Sequence, residues 1–67
     1  MNYINVTHPS GSRVVVDVSD ISRMDMFETK ESHYTKIELK TFGVIVCTET
    51  TEEINKLAME SGHGKIL

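Results

Sequence analysis

The sequence contains few of the residues that build disulfide-bonded, fibrous or membrane-spanning proteins. Its 67 residues include one cysteine, one proline and no tryptophan. A single cysteine cannot form an internal disulfide, which excludes a disulfide-stapled secreted scaffold. Four glycines beside one proline exclude collagen-like and low-complexity chains. No apolar run approaches the about 18 residues that a membrane-spanning helix requires.

The chain also lacks an excess of either charge. Seven Lys and Arg residues accompany ten Asp and Glu residues, and the basic residues are scattered along the chain. Because nucleic-acid binders carry a basic patch or stripe, nucleic acid is not an expected partner. The first residues lack the basic and apolar regions of a secretory signal, so we expect a cytoplasmic protein with no membrane association.

The length and composition predict one small domain. An apolar share of 39% supports one thin core without a deep substrate cleft. We expect the domain to span residues 1–62 and residues 63–67 to form a flexible tail.

Alternation of apolar and polar residues predicts five short strands followed by one helix. The predicted strands are Tyr3–Thr7, Arg13–Val18, Arg23–Thr29, Tyr34–Thr41 and Val44–Glu49. A turn at 19–22, with at most one helical turn capped by Ser19, and a loop at 30–33 separate them. For the third segment, a helix from Ser19 to Phe27 is the alternative. The predicted fold class is α+β, mostly β, with five antiparallel strands in a bent sheet or small open barrel.

The helix carries the most specific local pattern. Thr50 and Glu53 have the spacing of a capping box, in which each side chain bonds the backbone of the other. A narrow apolar stripe then follows at helical spacing, formed by Ile54, Leu57, Ala58 and Ser61. Gly62 is placed to end the helix.

Residues with catalytic or metal-binding potential do not form a recognisable pattern. No sequence spacing links His8, His33 or His63 to Cys47, which lies in an apolar run typical of a buried thiol. Asp17, Asp20 and Asp25 are close in sequence but lack the calcium-loop pattern. We therefore expect no enzyme activity, no metal and no cofactor.

Apolar residues on the outer faces of the strands suggest contact with protein. We expect Val15, Phe27, Tyr34 and Ile45 to face outward, because one helix cannot cover a five-stranded sheet. Exposed apolar patches and open strand edges favour protein contacts and self-association into a homo-oligomer. The candidate partner surface comprises Phe27, Tyr34, Lys36, Glu38 and Lys40.

Turn, strand and helix residues follow one another with a specific spacing between residues 11 and 57. They are Gly11, Val14, Val16, Asp17, Ile21, Glu28, Thr29, Thr35, Ile37, Leu39, Gly43, Val46, Glu49, Glu52, Glu53, Ile54 and Leu57. At these positions the sequence resembles the small flagellar and swarming-motility family typified by FlbD. The family's Pro-Asp-Thr turn is replaced here by the loop at 30–33. The resemblance implies a non-catalytic accessory protein.

The order of five strands and a Glu-Glu-Ile helix is also similar to the CsrA-type RNA-binding regulators, although the basic residues of that family's first strand are absent. The main hypothesis is a small non-enzymatic interaction module that self-associates. The alternatives are a phage or mobile-element modulator of a host protein, for which only the small size argues, and a small CsrA-like nucleic-acid-binding regulator.

Overall fold

The computed structural model describes residues 2–62 and confirms the predicted fold class. The elements in chain order are β1 (Tyr3–Thr7), β2 (Arg13–Asp17), a 3-10 helix (Val18–Asp20), β3 (Ile21–Glu28), β4 (His33–Leu39), β5 (Gly43–Cys47) and α1 (Thr51–Glu60). The predicted tail at 63–67 lies outside the described residues.

The five strands form two antiparallel sheets. The hairpin β1-β2 is one sheet, and β3-β4-β5 is the other. The two sheets meet where the Thr48 amide donates to the Thr7 carbonyl over 2.8 Å. Within residues 2–62 the strands do not close into a barrel, so β2 and β3 remain at open edges.

The boundary between β2 and β3 differs from the sequence expectation. β2 ends at Asp17, and the following 3-10 helix is capped by Asp17 rather than Ser19. The Asp17 carboxylate accepts hydrogen bonds from the Ser19 amide at 3.1 Å and its hydroxyl at 2.8 Å. β3 then starts at Ile21, two residues earlier than predicted. The strand prediction is thus confirmed, and the alternative helix is wrong.

The last two strands are shorter at their carboxyl ends than the alternation predicted. β4 begins at His33, one residue earlier than predicted, and ends at Leu39. β5 ends at Cys47, before Glu49. Gly43, the first residue of β5, has a φ of 103°, a left-handed conformation that costs glycine little.

One core joins the inner faces of both sheets to α1. The hairpin contributes Ile4, Val6 and Val16, as the alternation predicts, and the longer sheet contributes Ile37 and Cys47. Ile54 and Ala58 of α1 are fully buried against them. The helix therefore covers the inner side of the strands and leaves the opposite side of the longer sheet open.

The start and end of α1 follow the sequence prediction, whereas one predicted contact is wrong. Thr50 caps the helix, with the Thr50–Glu53 capping box complete in both directions. Gly62 follows the C-cap with a φ of 89°. Ser61 is exposed instead of facing the core, and its hydroxyl donates to the Ala58 carbonyl. The hydroxyl of a serine can donate to a backbone carbonyl of its own helix. Ser61 therefore does not need to face the core, and it adds no apolar side chain to the buried stripe.

Candidate interaction surface

The side of the β3-β4-β5 sheet that faces away from α1 is an open surface formed by three strands. Residues directly opposite each other in adjacent strands share a face. The register pairs Arg23 with Glu38, Asp25 with Lys36 and Phe27 with Tyr34. Across the next pair of strands, Lys36 lies opposite Val46 and Glu38 opposite Val44. We call this surface, formed by Arg23, Asp25, Phe27, Tyr34, Lys36, Glu38, Val44 and Val46, the outer face.

Two aromatic rings lie at one end of the outer face. The centroids of the Phe27 and Tyr34 rings are 5.6 Å apart, with the planes tilted by 40°. This arrangement is within the favourable range for aromatic pairs. Phe27 is 41% exposed and Tyr34 is half-buried. The two rings therefore contact each other while part of their apolar area stays exposed to solvent.

Charges of both signs lie next to the rings. Arg23 Nε is 2.8 Å from an Asp25 oxygen, and both side chains are substantially exposed. Lys36 and Glu38 follow on the neighbouring strand of the same face. The outer face therefore carries as many acidic as basic residues around its apolar part.

The structure brings together four of the five residues predicted for the partner surface. Phe27, Tyr34, Lys36 and Glu38 lie on the outer face. Lys40 lies in the turn after β4, where its amide donates to the Asp20 carbonyl. Val15 is 64% exposed, but it belongs to β2 and so lies on the other sheet.

One predicted outward residue is wrong, and two outer-face residues were missed. Ile45 lies opposite Ile37, which places it on the inner face, where it packs against the core. Val44, 54% exposed, and Val46 take the outer positions instead. The segment is apolar at every position, so its sequence has no alternation that could reveal which residues face outward.

The cysteine is buried and is not placed to act as a nucleophile. Cys47 has no exposed surface. Burial, together with the nearby Glu49 carboxylate, raises the pKa of its thiol to about 11. Because the thiolate is the reactive form, this environment suppresses nucleophilic chemistry.

The three aspartates that are close in sequence have separate partners. Asp17 caps the 3-10 helix, Asp20 accepts from the Thr41 hydroxyl at 2.6 Å, and Asp25 pairs with Arg23. Among residues 2–62, no group of three or more His, Cys, Asp and Glu side chains has the arrangement of a metal site.

His8 lies in the β1-β2 turn, where its ring contacts the Ser10 hydroxyl at 2.9 Å. His33 starts β4 beside the charged loop, and His63 lies outside the described residues. Neither described histidine has a hydrogen bond to Cys47.

A groove of about 420 Å³ lies between the hairpin and α1. Its lining includes Arg13 and Lys56 beside Glu49, Glu53 and Glu60. Both signs of charge line this groove as well, so it does not concentrate the positive potential that would attract a phosphate backbone.

Comparison with known proteins adds no relative. No family model, no curated protein and no solved structure matches the chain. The resemblances to the FlbD and CsrA families therefore remain predictions. Of the helices in residues 2–62, none has the length and apolar character needed to cross a membrane.

Proposed function

We propose that this protein is a small non-enzymatic accessory protein that acts by protein contact and associates with itself. The observation that carries the proposal is the open outer face, which has the Phe27–Tyr34 ring pair at one end and Val44 and Val46 on β5. Exposed apolar surface rimmed by polar residues is typical of protein contact sites. Aromatic side chains are enriched among the residues that dominate binding energy.

The charge pattern favours a protein partner over a nucleic acid. Arg23 and Lys36 are each directly beside an acidic residue on the outer face. Interleaved charges of opposite sign can pair with a protein surface and fix its register. The same acidic residues would oppose a phosphate backbone, which argues against the CsrA-like alternative.

The proposal is tested with variants of the ring pair. The double variant Phe27→Thr/Tyr34→Thr removes both rings but keeps residues that suit a strand. A protein captured from the source cell by the tagged wild type is identified and purified, and its affinity is then measured directly. We expect the double variant to bind it at least about tenfold more weakly, a loss of about 1.4 kcal/mol.

Phe42→Thr is the matched control. Phe42 is 84% exposed, but it lies in the turn before β5, outside the outer face. Its replacement should leave the affinity unchanged. Equal affinities for all three proteins, with the folds intact by circular dichroism, would show that the outer face is not the contact surface.

A further inference from the structure

The open edge of β2 carries a strand sequence that is complementary to itself. β2 reads Arg-Val-Val-Val-Asp from Arg13 to Asp17. When two copies of this strand run antiparallel with Val15 at the centre, Arg13 of each lies opposite Asp17 of the other. Val15 then faces its own counterpart, and opposite charges meet at both ends.

The hydrogen-bonding pattern of the hairpin fits this register. In an antiparallel pair, hydrogen-bonded and non-hydrogen-bonded residue pairs alternate. The Val18 amide donates to the Asn2 carbonyl, and the His8 amide donates to the Ser12 carbonyl. Hydrogen-bonded pairs recur at every second residue from these two bonds. Val14 and Val16 are therefore the β2 residues whose backbone groups bond to β1.

The backbone groups of Arg13, Val15 and Asp17 therefore point away from β1, towards the open edge. A second strand can bond to that edge only through these three residues. The register centred on Val15 uses all three and is the one that places both charges opposite their complements. The Asp17 carbonyl accepts the first bond of the 3-10 helix, so about four backbone hydrogen bonds would join the two copies.

The side chains needed for the pairing are accessible. Val15 is 64% exposed, and Arg13 is exposed beside it. Within residues 2–62, neither Arg13 nor Asp17 forms an ion pair. The capping bonds from Ser19 use one oxygen of Asp17 and leave the other for an incoming guanidinium.

The other strand edges are less suited to pairing with a second copy. β3 has a register irregularity between Ile21 and Arg23, and such bulges disrupt edge pairing. Its Arg23 and Asp25 are already paired within the chain. The edge of β5 is partly covered by β1, through the bond from Thr48 to Thr7.

We infer that the protein forms a two-fold symmetric dimer through antiparallel pairing of β2 with β2 of a second copy, centred on Val15. This inference rests on the self-association in the proposed function and specifies where it occurs. The two-stranded hairpins would merge into one four-stranded sheet, and sheets of three or more strands are more stable than isolated hairpins. The outer face of each copy would remain open for a different partner.

A disulfide at the symmetry axis tests the geometry. Val15→Cys would place two sulfurs across a hydrogen-bonded pair with the α-carbons about 5.5 Å apart, a separation at which disulfides form. Native Cys47 is fully buried, so it contributes little background. Val44→Cys is the control, because Val44 is also more than half exposed but lies on β5.

Under mild oxidation, Val15→Cys should form covalent dimers at least about tenfold faster than Val44→Cys, because the dimer raises the effective concentration of the two thiols. Equal rates would overturn the pairing.

Charge exchange provides a second and independent test. Arg13→Asp alone and Asp17→Arg alone each place like charges opposite each other in the dimer, so sedimentation should show each variant mostly monomeric. Mixing the two variants restores opposite charges at both ends and should recover a heterodimer. Thermal unfolding of each variant checks that the loss of the Asp17 cap has not unfolded it.

The outcomes separate this inference from the proposed function. If the wild type is dimeric but mixing does not restore association, β2 pairing is wrong and self-association stands. If the wild type is monomeric, both the pairing and the self-association fall, whereas binding of a partner through the outer face is decided by the Phe27/Tyr34 variants alone.

Discussion

The carboxylate of Glu49 accepts two hydrogen bonds from Thr7, a residue 42 positions earlier in the chain. The Thr7 amide donates to one oxygen over 2.8 Å, and the Thr7 hydroxyl donates to the other over 2.9 Å. The carbonyl of Glu49 meanwhile accepts from the buried Thr35 hydroxyl over 2.5 Å. Glu49 thus ties the hairpin to the longer sheet at the point where the two sheets meet.

Removal of this carboxylate should destabilise the domain. Glu49→Ala leaves the part-buried Thr7 amide and hydroxyl without their charged acceptor, and losses of this kind cost about 1–3 kcal/mol. The free energy of unfolding from urea titration provides the measurement. Glu31→Ala, in the exposed loop before β4, is the control and should change stability by less than about 0.5 kcal/mol. Equal stabilities of the two variants would contradict the role assigned to Glu49.

The capping box should be visible as a loss of stability in Thr50→Ala. The Thr50 hydroxyl accepts from the Glu53 amide over 3.1 Å, and alanine cannot replace this acceptor. Loss of such a cap costs about 1 kcal/mol. Thr50→Ser keeps the hydroxyl and should retain most of the stability in the same denaturation experiment. A serine variant as unstable as the alanine variant would argue against the cap.

The Glu53 carboxylate should make helix stability depend on pH in the acid range. Hydrogen bonds from the Thr50 backbone and side chain, with a smaller contribution from His33, lower the pKa of Glu53 below its ordinary value of 4.5. The ionised form is thus favoured in the folded state. Its stabilising contribution is complete above pH 4.5 and is lost as the pH falls through the lowered pKa.

A comparison of wild type with Glu53→Gln at several pH values measures this contribution. The stability difference between the two proteins should shrink as the pH falls from neutral into the acid range. A difference that stays constant between neutral and acid pH would mean that the Glu53 charge does not contribute.

The buried thiol predicts the opposite dependence at alkaline pH. Burial raises the pKa of Cys47 from 9.0 to about 11. Between those values the unfolded chain releases the thiol proton and the folded chain retains it. Stability should therefore fall as the pH rises from 9 towards 11. Cys47→Ala should remove this part of the decline when thermal unfolding of the two proteins is compared across that range, and an identical decline in both would contradict the burial of the thiol.

Local patterns were sufficient for much of the fold. The alternation around Ile4 and Val6 identifies a strand with one buried side, and the structure agrees. The capping residues Thr50 and Glu53 identify the start of α1, because that motif depends on residues only three apart. Both signals are short in range, so a single sequence contains them in full.

Pairing between distant strands could not be predicted in the same way. Ile45 lies in an apolar segment, and its direction depends on the residue of β4 that it faces, here Ile37. The alternation predicts Glu49 at the end of a strand, but Glu49 follows β5 and accepts hydrogen bonds from Thr7 of β1 instead. Neither result has a local signal, because each depends on how two separate parts of the chain meet.

For the proposed interactions, the residue order supplies the charged and apolar side chains, and the folded chain sets how they are arranged. Two features are properties of the sequence. One is the order of charged and apolar residues in Arg13–Asp17, and the other is the small number of residues available to cover the strands. Strand register sets which backbone groups of β2 reach an open edge. It also sets which residues join Phe27 and Tyr34 on one face. Register arises from hydrogen bonds and core packing between segments far apart in the chain. Side chains alternate between the two faces of a strand, so the face of any one residue is known only once its partner on the neighbouring strand is known.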